Sequence, residues 1–171
     1  IAPVEPDCLL SHHAVAVRGG TIVAILPTSE ARKRYVADET VQLAEHILIP
    51  GLINLHTHAA MTLLRGLADD LPLMDWLQRR IWPAEARHVS PAFVRDGTLL
   101  AGTEMLRGGV TCFNDMYFHP GAAAEAAASL GMRAVLGITT LDFPTAYASD
   151  AADYISKGLA TRDQWLNHPL I

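Results

Sequence analysis

Along the first fifty residues the apolar positions fall in short runs separated by turn residues, a pattern that predicts strands. Ala14, Val15, Ala16 and Val17 lead into Arg18-Gly19-Gly20, and residues 21–26 form a second β-rich run ending at Pro27. The two runs predict a hairpin. Residues 29–35 predict one helical turn, capped by Ser29 or Thr28. Residues 41–49 return to strand character. So few strands bury little by themselves, so residues 1–50 read as part of a small β domain. At Pro50-Gly51 the character changes. Residues 52–55 are nearly continuously apolar, as expected of a strand buried on both faces. Residues 57–88 predict a long irregular stretch carrying Leu71, Leu73, Met74, Trp76, Leu77, Ile81 and Trp82. That density of apolar groups suggests a lid or pocket wall, or a helix over residues 74–81 that packs its stripe on the core.

From Ser90 the pattern is regular. Ser90-Pro91 is a helix start, and Val94, Ala101 and Met105, with Phe93 and Leu100, supply its apolar face. Gly108-Gly109 ends that helix. Residues 110–118 predict a strand, 121–130 an Ala-rich helix, 132–139 a strand, and 150–166 a helix capped by Ser149 or Asp150. Strand and helix alternate from residue 51 onward, which predicts parallel βαβ units, three of them by residue 171. A closed (β/α)8 barrel needs roughly 250 residues. The expectation is therefore an open α/β domain or the first part of a barrel.

Composition narrows the function classes. Of 171 residues, 50% are apolar and 18% charged, enough apolar material for a core. The net charge of −5 disfavours nucleic acid as a partner, because phosphate binding needs clustered cations. No apolar run approaches the roughly 20 residues of a membrane helix. Cys8 and Cys112 lie far apart and form no CxxC pair; one disulfide between them is left open, and a reducing cytoplasm is the default expectation.

The strongest candidate chemistry is His56-Thr57-His58, at the end of the run 52–55. Side chains alternate along a strand, so the two imidazoles are expected to point the same way. At the C-terminal end of a barrel strand they would form half of a metal site. A bare HxH is common, and its position after Pro-Gly and an apolar strand is what raises its weight.

The nine residues Pro50-Gly51-Leu52-Ile53-Asn54-Leu55-His56-Thr57-His58 resemble the first metal-binding strand of the amidohydrolase superfamily. The run from Arg65 to Leu77, then Ile81-Trp82-Pro83-Ala84-Glu85, resembles the 5-methylthioadenosine/S-adenosylhomocysteine deaminase branch. Gly109-Val110-Thr111 and Asp115-Met116-Tyr117-Phe118-His119 fit the same branch. The resemblance implies an α/β fold: the N-terminal portion of a metal-dependent (β/α)8 TIM barrel over residues 51–171, with part of a flanking β-sandwich over residues 1–50.

The same resemblance implies one divalent metal, zinc with iron as the alternative, held by His56, His58 and ligands on later strands. It implies that Trp76 packs on the adenosyl part of a substrate and that Glu85 accepts from the ribose hydroxyls. A core tryptophan and a solvated helix-end glutamate are the plain alternatives. The implied reaction is hydrolytic deamination of an adenine-type nucleoside, with water replacing the ring amine, which leaves as ammonia. A chlorotriazine or guanine ring is the alternative substrate, and a catalytically incomplete fragment the alternative to an enzyme. The acid/base residue is expected beyond Ile171, so this chain alone is expected to be inactive. The expected partner is a small purine nucleoside or related heterocycle, without nucleic acid or membrane, and a homo-oligomer is left open. His119 is a weaker candidate, at a strand end. In some relatives a substrate-facing Arg follows the match to Arg133 by about five residues; here that place falls on Ile138, which would favour a less charged substrate.

Overall fold

In the computed structural model, which describes residues 1–5 and 7–171, the chain divides into two compact units, Ile1–Pro50 and Gly51–Ile171. The first holds an antiparallel hairpin, β1 (His13–Arg18) and β2 (Thr21–Pro27), followed by α1 (Thr28–Arg34). Gly19 and Gly20 both take positive φ, which lets two residues reverse the chain. The α1 cap position is Pro27, with no side-chain cap, rather than Ser29 or Thr28. Residues 41–49 form no strand. Among the described residues of this unit their one backbone bond to another segment runs from the Ala2 amide to the Leu48 carbonyl at 2.9 Å, and an apolar run with so little pairing stays irregular.

The second unit is built on a three-stranded parallel sheet in the order β3 (Leu52–Thr57), β4 (Val110–Tyr117), β5 (Arg133–Ile138). The crossovers run through α4 (Pro91–Arg107) and α5 (Pro120–Ser129), and α6 (Ala151–Trp165) follows β5. Ser90 caps α4 by accepting from the Phe93 amide at 3.1 Å, and Asp150 caps α6 by accepting from the Asp153 amide at 2.9 Å. Gly109, at φ +83°, turns α4 into β4, and its carbonyl accepts from the Leu52 amide at 2.9 Å. Beyond α6, the Leu170 carbonyl accepts from the Ala134 amide of β5 at 2.8 Å.

Two apolar clusters pack α4, α5 and the turn after β3 against this sheet. Ala59, Ala101, Phe113, Ala127, Met132 and Ala134 form one. Ala60, Val94, Tyr117 and Ala123 form the other. The small alanines of α5 allow close helix approach, and Phe113, Asp115 and Tyr117 alternate inward along β4. Leu100 stays exposed and is not part of the α4 core face. The expectation of a first strand buried on both faces is not met within this chain: β3 lies at the edge of the three described strands, with Ile53 63% and Leu55 73% exposed.

Residues 57–88 are far less irregular than their composition suggests. A 3-10 turn spans Ala59–Leu64, and a continuous helical stretch comprises α2 (Leu73–Trp76), a π-turn (Leu77–Ile81) and α3 (Trp82–His88). Ile81 alone is buried there, while Leu71, Leu73 and Met74 remain uncovered.

Candidate metal and substrate site

The end of β3 carries the two candidate metal-binding histidines, His56 and His58. Its ladder with β4 breaks between Asn54 and Thr57, and the His56 amide donates to Asn54 Oδ1 at 3.2 Å instead. Strict alternation is therefore interrupted at the motif. The two imidazoles nonetheless meet, with ring centroids 5.1 Å apart and planes at 81°. His58 Nδ1 lies 2.7 Å from the Met116 carbonyl oxygen. A carbonyl only accepts, so Nδ1 carries the proton, and Nε2 of a neutral ring keeps the free lone pair. This is the arrangement in which a backbone carbonyl orients a metal-binding histidine.

The residues flanking His58 are held by Asp115, only 2% exposed on β4. Asp115 Oδ1 accepts from the Thr57 hydroxyl and the Ala59 amide, each at 2.8 Å. The same hydroxyl lies 3.0 Å from the Asn114 carbonyl and shares its one proton between the two acceptors. Burial pushes the Asp115 carboxyl up, while the Ala59 amide, the Thr57 hydroxyl and the nearby His58 charge pull it partly back. Hydrogen bonds to a charged group are worth about 1.5–3 kcal/mol each, so this clamp offsets much of the cost of burying the carboxylate. Asp115 is thus fixed as a structural partner.

Glu85, on α3, is half-buried, and its Oε1 accepts from the Tyr117 hydroxyl at 2.7 Å. Burial raises its carboxyl above the usual range, and the Tyr117 bond and the charge of His58 partly counter that. Glu85 therefore lies within electrostatic reach of His58. Trp76 is half-buried at the end of α2, nine positions before Glu85. On an uninterrupted α-helix nine steps separate two side chains by about 180°. The π-turn between them adds one residue, which on ideal helix geometry reduces that angle to about 80°.

A cavity of about 410 Å³ opens beside His58, lined also by Asn54, Thr57, Thr62, Glu104 and Met105. His119 belongs elsewhere. It takes left-handed φ/ψ at the start of α5, stacks edge-on against Tyr147 at 4.8 Å, and faces a different cavity with Arg95 and Glu125. Ile138 also does not face the site. Its side chain packs onto α6 at Gly158, where a β-carbon would overlap it, so its identity carries no information on substrate charge.

The residues that sequence reasoning missed are Tyr117 and the Met116 carbonyl. Alternation along β4 points Tyr117 to the helix-covered face, but nothing in the sequence pairs it with Glu85. Among the described residues, no group of three or more His, Cys, Asp or Glu side chains is placed to hold a metal. Two neighbouring imidazoles, with His58 Nδ1 already committed to a carbonyl, are of a chemistry that fits two positions of a metal site.

The amidohydrolase family model matches residues 47–166. A protein of Saccharophagus degradans named 5-methylthioadenosine/S-adenosylhomocysteine deaminase is 52% identical over all of this chain, which spans 39% of that protein. A similarly named protein of Teredinibacter turnerae is 48% identical over the same share. Among solved structures, a zinc-bound adenosine deaminase from Xanthomonas campestris superposes with a TM-score of 0.94 at 52% identity, over 96% of this chain and 38% of that one. Guanine deaminase from E. coli superposes at 0.74 with 21% identity over 90% of this chain and 37% of that one, a likeness of fold alone.

Proposed function

We propose, from the premise that this chain belongs to the amidohydrolase family, that the whole protein carrying it is a metal-dependent hydrolase that deaminates an adenine-type nucleoside. The observation that carries the reading is the meeting of His56 and His58 at 5.1 Å, with His58 oriented by Met116. Within it, the unit Gly51–Ile171 supplies the first three βα units of a (β/α)8 barrel, and residues 1–50 supply part of a β-sandwich. The parallel order β3-β4-β5, with helical crossovers, supports the barrel reading.

His56 and His58 would hold the metal, zinc with iron as the alternative, through imidazole nitrogens that suit either. When bound, such an ion supplies Lewis-acid activation of the attacking water. Glu85 accepts from the sugar hydroxyls, and Trp76 offers an indole face on which a base stacks, worth about 1–3 kcal/mol. Asp115 holds the residues on either side of His58 and so keeps its ring in place. The substrate is of the 5′-methylthioadenosine or S-adenosylhomocysteine kind. A chlorotriazine has no sugar hydroxyls for Glu85, so the placement of that carboxylate disfavours it. Among the described residues no helix is long and apolar enough to cross a membrane. Cys8 and Cys112 are free thiols, which fits a reducing compartment such as the cytoplasm.

Ammonia release from 5′-methylthioadenosine by the full-length gene product tests this. Turnover on the order of 1–10³ s⁻¹, lost on chelation and restored by zinc, is the expected result. No ammonia from zinc-loaded protein, or turnover indifferent to chelation, would overturn it. The 171-residue chain alone is expected to bind zinc weakly and to release no ammonia.

A further inference from the structure

We infer that Tyr117 is a positioning residue for Glu85: its buried hydroxyl fixes the carboxylate that receives the sugar hydroxyls of a nucleoside. This rests on the ribose-binding reading of Glu85 given above. Tyr117 ends β4 with its ring inside the cluster of Ala60, Val94 and Ala123, and it is 7% exposed. Its hydroxyl is the polar tip of a core side chain, 2.7 Å from Glu85 Oε1. A phenol donates and a carboxylate accepts, so the direction of the bond is fixed.

Burial, and then the Glu85 carboxylate itself, push the phenol far above its usual range, so it stays a protonated donor at any working pH. Oε1 uses one lone pair on Tyr117, and Oε2 remains available to a substrate. The bond spans 32 positions of sequence and ties α3 to the sheet. It lies just beyond the π-turn, in a stretch where only Ile81 is buried by packing. A glutamate on such a weakly packed helix has many rotamers. An anchored donor selects one of them before substrate arrives, and preorganisation of this kind strengthens binding without altering the chemical step.

The experiment uses the full-length zinc enzyme, wild type, Tyr117→Phe and Glu85→Gln, with 5′-methylthioadenosine and its 2′-deoxy and 3′-deoxy analogues. Tyr117→Phe keeps the ring, and thermal melting verifies the fold. Tyr117→Phe is expected to raise KM for the ribosyl substrate about tenfold, the scale of one hydrogen bond to a charged group, with kcat within about threefold. For the deoxy analogue that wild type penalises, the same substitution should change KM less than about threefold. An equal KM increase on ribosyl and deoxy substrates, or none on either, would overturn the inference. A deoxy penalty lost in Glu85→Gln but intact in Tyr117→Phe would overturn the role of Tyr117 and leave that of Glu85 standing. No deoxy penalty in wild type would overturn the ribose reading of Glu85, and the inference with it.

Discussion

His58 Nδ1 lies 2.7 Å from the carbonyl oxygen of Met116, one strand over, and this contact sets which ring nitrogen is free. β3 and β4 run parallel, and their ladder breaks at the motif, between Asn54 and Thr57. Next to Met116, Asp115 holds Thr57 and Ala59, so β4 supports the segment on both sides of the histidine.

Replacing either His56 or His58 by Ala is expected to weaken zinc binding by the full-length protein more than about 100-fold, since loss of even an outer partner of a metal ligand costs 10–100-fold. Competition with a chromogenic chelator measures it. Retained wild-type affinity in both variants would remove the pair from the metal site.

Trp76→Ala is expected to raise KM for an adenosyl substrate by about tenfold or more, the weight of one stacked base. Steady-state kinetics with 5′-methylthioadenosine measures it. Unchanged KM and kcat would place Trp76 outside the site.

Glu85 gives a pH signature in the metal-free protein. Burial raises its folded-state carboxyl above the unfolded value, so between the two the native state binds more protons than the unfolded. Its contribution to stability is therefore full below the ordinary carboxylate range and declines as pH rises through the raised value. Urea unfolding between pH 4 and 7 should show a stability difference, wild type minus Glu85→Gln, that falls with pH. A difference that rises with pH would contradict the burial of this carboxylate.

Gly97→Ala should destabilise the protein by about 1–3 kcal/mol. A β-carbon there would sit 2.5 Å from the Ala60 carbonyl oxygen and 2.8 Å from the Ala60 α-carbon, in the turn that follows His58. Backbone atoms cannot swing away as a side-chain tip can. Chemical denaturation measures the loss, and a variant as stable as wild type would show that α4 and this turn are free to separate.

The order of elements from Ser90 onward was set by local chemistry readable in the sequence. Ser90 and Asp150 cap their helices, Gly108-Gly109 stops one, and the run 110–118 reads as a strand, although which of its faces is buried came only with the fold. The His56-Thr57-His58 motif was legible too, because two imidazoles after a short apolar strand carry their own meaning. Other features were decided only by long-range partners. Among the described residues, 41–49 have strand character but one backbone bond to another segment, and β3 is apolar yet lies at the edge of the three strands of its sheet, because hydrogen bonding between strands depends on what lies alongside. The meeting of Tyr117 with Glu85, and of His58 with Met116, joins residues 32 and 58 positions apart. Sequence periodicity reports the face a side chain shares with its near neighbours; which atom it meets across the fold follows from the packing of α3 and β3 against β4.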